Sequence, residues 1–188
     1  MTYPIRTVSY SDLDIGDCIG SGAEQSAFEL VNDPDHCLKI THVHLEATQL
    51  VDNSLDLAAD GLAPDVVAVV TDEHGKDLGV IVDKCIVFES VKEPLLDELE
   101  RNPLEGYDED DMLSLIESLD HGEYWAIDDC LQYGTPIVKD LAEDCDAFFQ
   151  AAEDLRMCGL KDMHVYNVGI DRRGDYVCID TAGYVRSM

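Results

Sequence analysis

Asp162, Asn167 and Asp180 have the side-chain types and the spacing that transfer of a phosphoryl group requires. Asp162 and Asn167 stand five residues apart in Lys161-Asp162-Met163-His164-Val165-Tyr166-Asn167, and Asp180 follows in Ile179-Asp180-Thr181-Ala182-Gly183. Moving a γ-phosphoryl group needs a carboxylate near the acceptor hydroxyl and hard oxygen ligands for magnesium. Asp162 suits the first role. Asn167 would supply a neutral oxygen ligand, and Asp180 a charged one for the metal bridging the phosphates. Taken singly, each is an ordinary turn residue; the grouping gives them weight.

Two features of the N-terminal half fit the same chemistry. Gly20-Ser21-Gly22-Ala23-Glu24-Gln25-Ser26 lies between two apolar runs, and paired glycines let a backbone come close to phosphates. A GSG turn alone also suits any tight hairpin. Lys39 lies in the apolar run Cys37-Leu38-Lys39-Ile40, where a lysine is costly unless its ammonium meets an anion. A nucleotide phosphate and a helix carboxylate would satisfy it. Glu46 is the nearest carboxylate on the next helix, with Asp52 and Asp56 further along.

The elements that must position these residues follow from periodicity. Residues 15–31 read as strand, glycine turn and strand, 32–35 as a turn, and 37–40 as a short strand. Residues 43–59 carry apolar positions at helical spacing, with Gly61 as the stop. Two further strands, 66–71 and 78–82, are joined by a polar turn. In the middle of the chain, 94–99 and 111–119 read as short helices. The acidic run 108–111 would complement the dipole at the start of the second of these. A long helix opens at Asp140 with a capping box to Glu143 and ends at Gly159. Residues 160–167 are then a loop, and 168–170 and 176–179 flank Asp171-Arg172-Arg173-Gly174 as a β-hairpin, which brings Asn167 and Asp180 back to one end.

In this order the motifs resemble the protein-kinase-like superfamily: glycine loop, strand lysine, helix, Asp-x4-Asn, then a strand-final Asp-x-x-Gly. Asp162-Met163-His164-Val165-Tyr166-Asn167 is similar to the D-x-H-x-x-N form of phage kinases, lipopolysaccharide-core kinases and aminoglycoside phosphotransferases. The nearest likeness is to small early serine/threonine kinases of lytic podophages, over roughly residues 15–90 and 136–184. The resemblance implies an α+β, minimal bilobed kinase-like fold. Its N-lobe, 1–90, would be an antiparallel sheet plus one helix. Its C-lobe, 91–188, would be reduced and mainly helical, with a catalytic-loop hairpin. It further implies ATP and Mg²⁺ as cofactors, Gly20, Gly22 and Ser26 in the phosphate loop, and Lys39 on the α- and β-phosphates with Glu46 as its partner. Asp162 would be the catalytic base, and Asn167 and Asp180 the metal ligands.

The sequence departs from that pattern in several places. Gln25-Ser26 replaces the third glycine, Glu24 adds a negative charge, and a separation of seven residues from Lys39 to Glu46 is short for the usual ion pair. The metal motif reads Asp-Thr-Ala-Gly, and only eight residues follow Asp180. His164 reads as a histidine packed under the loop and bonded to backbone, because Asp162 already holds the base position. Tyr166 and Trp125 read as core or surface aromatics.

Composition sets the frame. With 41 acidic against 12 basic residues the formal net charge is -29, a field that repels nucleic acid and anionic lipid and attracts basic proteins. It could also present phosphate-like spacing to a DNA-binding protein, or simply keep the chain soluble. No apolar run is long enough to span a bilayer, and the N-terminus lacks the pattern of a secretory signal. A cytoplasmic protein is expected, in the host cytoplasm if phage-encoded. Seven scattered cysteines without a CxxC pair predict reduced thiols. His36, Cys37, His42 and His44 are the one metal-like cluster, and no second pair completes a zinc site.

Three functions compete. The first is a Mg-ATP-dependent serine/threonine protein kinase acting on basic host proteins, nucleic-acid-binding ones among them. The second is an acidic DNA mimic or inhibitor on a kinase-like scaffold, binding a host nucleic-acid-binding or defence enzyme. The third is a small-molecule kinase, which needs a larger C-terminal substrate lobe.

Overall fold

The computed structural model describes residues 5–22, 24–42 and 47–181. The chain divides into two compact units, Met1–Cys85 with Gly159–Lys161 and Ile170–Met188, and Ile86–Cys158 with Asp162–Gly169. Residues 170–181, the last of those described, belong to the first unit.

In the first unit, the strands β1 (Arg6–Ser9), β2 (Ile15–Ser21), β3 (Gln25–Leu30), β4 (Asp33–Thr41), β5 (Val66–Thr71) and β6 (Asp77–Asp83) form one sheet in the order β1-β5-β6-β4-β3-β2. All neighbours are antiparallel except β1 and β5, which run parallel. The expected antiparallel sheet is present, and β1, too short a pattern to be legible in the sequence, adds one parallel pair at its edge. β4 also runs through Pro34, which had been expected to mark a turn.

Alternation along the strands sorts the two faces. Leu30, Leu38, Ala68, Val70 and Ile81 make one core. Cys37, Val80 and Val82 face the other way and pack with Val51 of the helix α1 (Ala47–Ala59). Leu50, Val51, Ser54 and Leu57 are the buried side of α1. Its end is set by Gly61, whose φ of 73° suits glycine, with the amide of Leu62 donating to the carbonyl of Leu57 at 2.8 Å.

The second unit is helical. It comprises α2 (Phe88–Arg101), α3 (Glu109–Asp120), α4 (Tyr124–Tyr133) and α5 (Pro136–Met157). Three expectations change here. α2 runs through Pro94, whose missing N–H leaves the carbonyl of exposed Ser90 to water. α4 was not expected at all. α5 starts at Thr135, whose Oγ1 accepts from the amide of Val138 at 3.3 Å with Pro136 in the first helical position, so the predicted Asp140–Glu143 capping box lies inside the helix. The acidic run does cap α3: Asp108 and Asp111 form a reciprocal capping box. Phe88 of α2, fully buried, meets Phe148 and Phe149 of α5 at ring distances of 5.8 and 5.6 Å.

Short strands β7 (Ile86–Val87), β8 (Val168–Ile170) and β9 (Tyr176–Cys178) complete the chain. β8 and β9 are the arms of the expected hairpin. Asp171 organises its turn, accepting from the amides of Arg173 at 2.8 Å and Asp175 at 3.0 Å. The chain is therefore α+β, with an N-terminal sheet and one helix followed by helices and a hairpin. No described helix is long and apolar enough to cross a membrane.

Candidate active site

Lys39 is 7% exposed, and its position on β4 explains where it points. It shares a strand face with Cys37, two residues before it, and lies opposite Ala27 of β3 and Val80 of β6. β6 can run this close because Gly79 has no side chain: a β-carbon there would lie 2.0 Å from the carbonyl oxygen of Lys39.

The ammonium of Lys39 donates to the main-chain carbonyl of Ile179. Glu46, the expected partner, lies outside the described residues, as does His44. Gln25, at the start of β3, reaches the same place. Its Nε2 donates to the Ile179 carbonyl at 3.2 Å and to Asp180 Oδ1 at 3.0 Å, while its Oε1 is buried without a partner. A β-carbon at Gly22 would come within 3.8 Å of Asp180 Oδ2, so the glycine turn stands beside the same carboxylate.

The next residue is held from α1. Asn53 Nδ2 donates to the carbonyl of Thr181 at 3.0 Å, and the hydroxyls of Ser54 and Thr181 lie 2.8 Å apart. Asp180 thus sits in a three-residue segment tied at Ile179 by β3 and β4 and at Thr181 by α1. Sequence reading missed Gln25, Asn53 and Ser54. Ser54 left a usable signal: a polar residue on the buried side of an amphipathic helix needs a partner.

Ser26 is not brought to this group. It is opposite Ile40 on the other strand face, with its Oγ 3.0 Å from Ser21 Oγ and 3.3 Å from His42 Nε2. Gly20 has open space around it. The metal-like cluster separates similarly. His36 pairs with Asp33 at 2.6 Å and Asp83 at 3.2 Å, Cys37 is buried, and His42 faces Ser26 and the carbonyl of Gly22. Among the described residues no group of His, Cys, Asp and Glu is arranged to hold a metal ion by itself. All seven cysteines are free thiols, and burial pushes Cys130 and Cys145 up to about 12.

In the second unit, Asp162 and Asn167 are joined directly. Asn167 Nδ2 donates to the carbonyl of Asp162 at 2.9 Å, closing the loop upon itself. Asp162 has φ of 56°, the one left-handed non-glycine among the described residues. Such a conformation is uncommon, and asparagine and aspartate adopt it most readily.

The loop is anchored by Tyr166, which sequence reading treated as a plain aromatic. Its ring lies 5.4 Å from that of Phe88, and its hydroxyl donates to the carbonyl of Asp120. Lys92 of α2, itself buried, stands 5.5 Å over the ring and donates to Asp120 Oδ1 at 2.8 Å. Burial alone would lower the Lys92 pKa; the bond to Asp120 and the nearby Tyr166 outweigh it and raise it. His164, expected beneath the loop, is instead exposed, and its ring makes only a tilted contact with Tyr166 at 6.1 Å.

The structure therefore groups Gly22, Gln25, Lys39 and Asp180 in the first unit, and Asp162 with Asn167 in the second. No family model matches the chain, and no curated protein does. Among solved structures it is similar to the pseudokinase DRIK1 (drought responsive inactive kinase 1) in a co-crystal with ENMD-2076. The identity is 12% and the TM-score 0.40, over 96% of this chain and 63% of that one, so this chain spans less than two thirds of that protein's chain.

Proposed function

We propose that this chain is a Mg-ATP-dependent protein kinase on a shortened kinase-like scaffold, acting on serine or threonine of basic proteins. The observation that carries the reading is the buried Lys39 beside the held Asp180, with the glycine turn against the same carboxylate. A buried lysine is costly unless its ammonium meets an anion or a strong acceptor. Among the described residues Lys39 donates to one carbonyl, and a phosphate would add an anion beside it. Asp180 offers magnesium a carboxylate, a hard oxygen ligand, and the amide oxygen of Asn167 is a ligand of the same hard kind. When bound, Mg-ATP supplies the phosphoryl group and the charge that neutralises it. Asp162 then orients the acceptor hydroxyl and takes its proton, held at its backbone by the Asn167 amide.

The test is transfer from labelled ATP with Mg²⁺ to the chain itself and to a basic protein, with Asp162→Asn and Asp180→Asn alongside. Asparagine tolerates the left-handed conformation of Asp162, so the first variant removes the carboxylate without straining the loop. Labelling lost in both variants supports the reading. No labelling, together with no Mg-ATP shift in melting temperature, would overturn it. The charge of -29 then favours the second reading, an acidic decoy for a nucleic-acid-binding or defence protein on the same scaffold.

A further inference from the structure

From Tyr107 to Tyr133 the sequence holds nine Asp or Glu and neither Lys nor Arg. This stretch spans α3 and α4, and the face of α4 that is left uncovered alternates ring and carboxylate. Trp125, Asp129 and Tyr133 stand four residues apart, one above another on the same side of the helix. Trp125 is 42% exposed and Tyr133 47%.

These rings are ordered before any partner arrives. The Trp125 indole N–H donates to Glu123 Oε2 at 2.7 Å. The Tyr107 hydroxyl donates to Asp129 Oδ2, and the Tyr107 ring lies 6.2 Å from that of Tyr133. The bond to Asp129 pushes the Tyr107 hydroxyl up to about 12, so it remains a donor at physiological pH. An acidic helix kept only for solubility has no need of an exposed indole and a tyrosine each bonded to a carboxylate, with a second tyrosine ring beside the first. Large aromatics in such places are the residues that anchor protein interfaces, and their fixed geometry lowers the ordering cost of binding.

We propose that this face, Tyr107, Trp125, Asp129 and Tyr133, is a docking surface for an arginine-bearing basic segment of another protein. Charge complementarity selects a cationic partner, and the alternation selects arginine over lysine. A guanidinium is flat, stacks on an aromatic ring and presents a fork to a carboxylate; an ammonium does neither as well. The surface lies within the second unit, and its function is independent of whether the chain transfers phosphate.

Trp125 is the single tryptophan of the chain, so its emission reports on this face directly. The experiment titrates the full chain with labelled nona-arginine and nona-lysine peptides, following peptide anisotropy and Trp125 emission at low and physiological salt. The expected result is saturable binding of nona-arginine with a change in Trp125 emission. Its affinity should exceed that of nona-lysine by roughly fivefold, the scale of one or two cation–π contacts. That preference should vanish in Trp125→Ala/Tyr133→Ala, and in Tyr133→Ala alone should shrink while the Trp125 signal stays readable. Circular dichroism checks that both variants fold, as their exposure leads one to expect. Equal affinities for the two peptides, an arginine preference that survives in the double variant, or no binding would each overturn the proposal in favour of a diffuse electrostatic field.

Discussion

The Gln25 carboxamide donates to Asp180 Oδ1 at 3.0 Å from the position where a third loop glycine would stand. If Asp180 holds a metal ion as proposed, a metal at Oδ1 would compete with that contact. Hydrogen bonds to charged groups contribute about 1.5–3 kcal/mol, so on the proposed reading Gln25→Ala is expected to bind Mg-ATP more tightly than the wild type, by roughly tenfold or more. The ligand-free variant should melt at a lower temperature. Thermal shift with and without Mg-ATP reads both effects, and no change in either would show that the contact carries little weight.

Gly79 should be intolerant of even one methyl group. Its β-carbon would meet the Lys39 carbonyl oxygen at 2.0 Å and Ile40 Cγ2 at 3.0 Å, so β4 must move. Gly79→Ala is expected to destabilise by about 1–3 kcal/mol and to displace Lys39 from Ile179. Denaturant unfolding measures the first effect. A fall in nucleotide binding larger than in an exposed control such as Gly75→Ala measures the second.

The pair of Lys92 and Asp120 should be asymmetric. Asp120→Asn leaves a buried ammonium facing a neutral amide, and about 1–2 kcal/mol of stability should be lost. Lys92→Met fills the same space with an apolar chain and should cost less. The raised pKa of Lys92 means that its contribution is present below the ordinary lysine range and fades as pH rises through the folded value. Melting curves of both variants at pH 7, with wild type and Lys92→Met compared again above pH 10, check the order and the sign.

Asp171 should make the hairpin sensitive to acid. Burial alone would raise its carboxyl pKa, but hydrogen bonds from Asp175 and Arg173 prevail and hold it below the usual carboxylate range. Its stabilising contribution is therefore fully present above the unfolded value of about 3.9 and is lost as pH falls through the folded one. The stability difference between wild type and Asp171→Asn should be about 1–3 kcal/mol near neutral pH and should shrink steadily below pH 4.

The sequence by itself determined the local features. Glycine placement, strand alternation and the helical repeat of 43–59 predicted the strand–turn–strand, α1 and the hairpin, because those signals act within a few residues. The loop that carries Asp162 and Asn167 was legible for the same reason, but the bond from the Asn167 amide to the Asp162 carbonyl was not expected. What tertiary structure alone decided was which distant groups meet. The parallel pairing of β1 with β5, the capture of Ile179 by Lys39 and Gln25, the tie of Thr181 to Ser54, and Lys92 under Tyr166 all join residues far apart in the chain. Such contacts depend on strand order and on which side of a helix is covered. Periodicity marks a face as buried but does not say what covers it, so the residues that hold Asp180 in place became visible only in the folded chain.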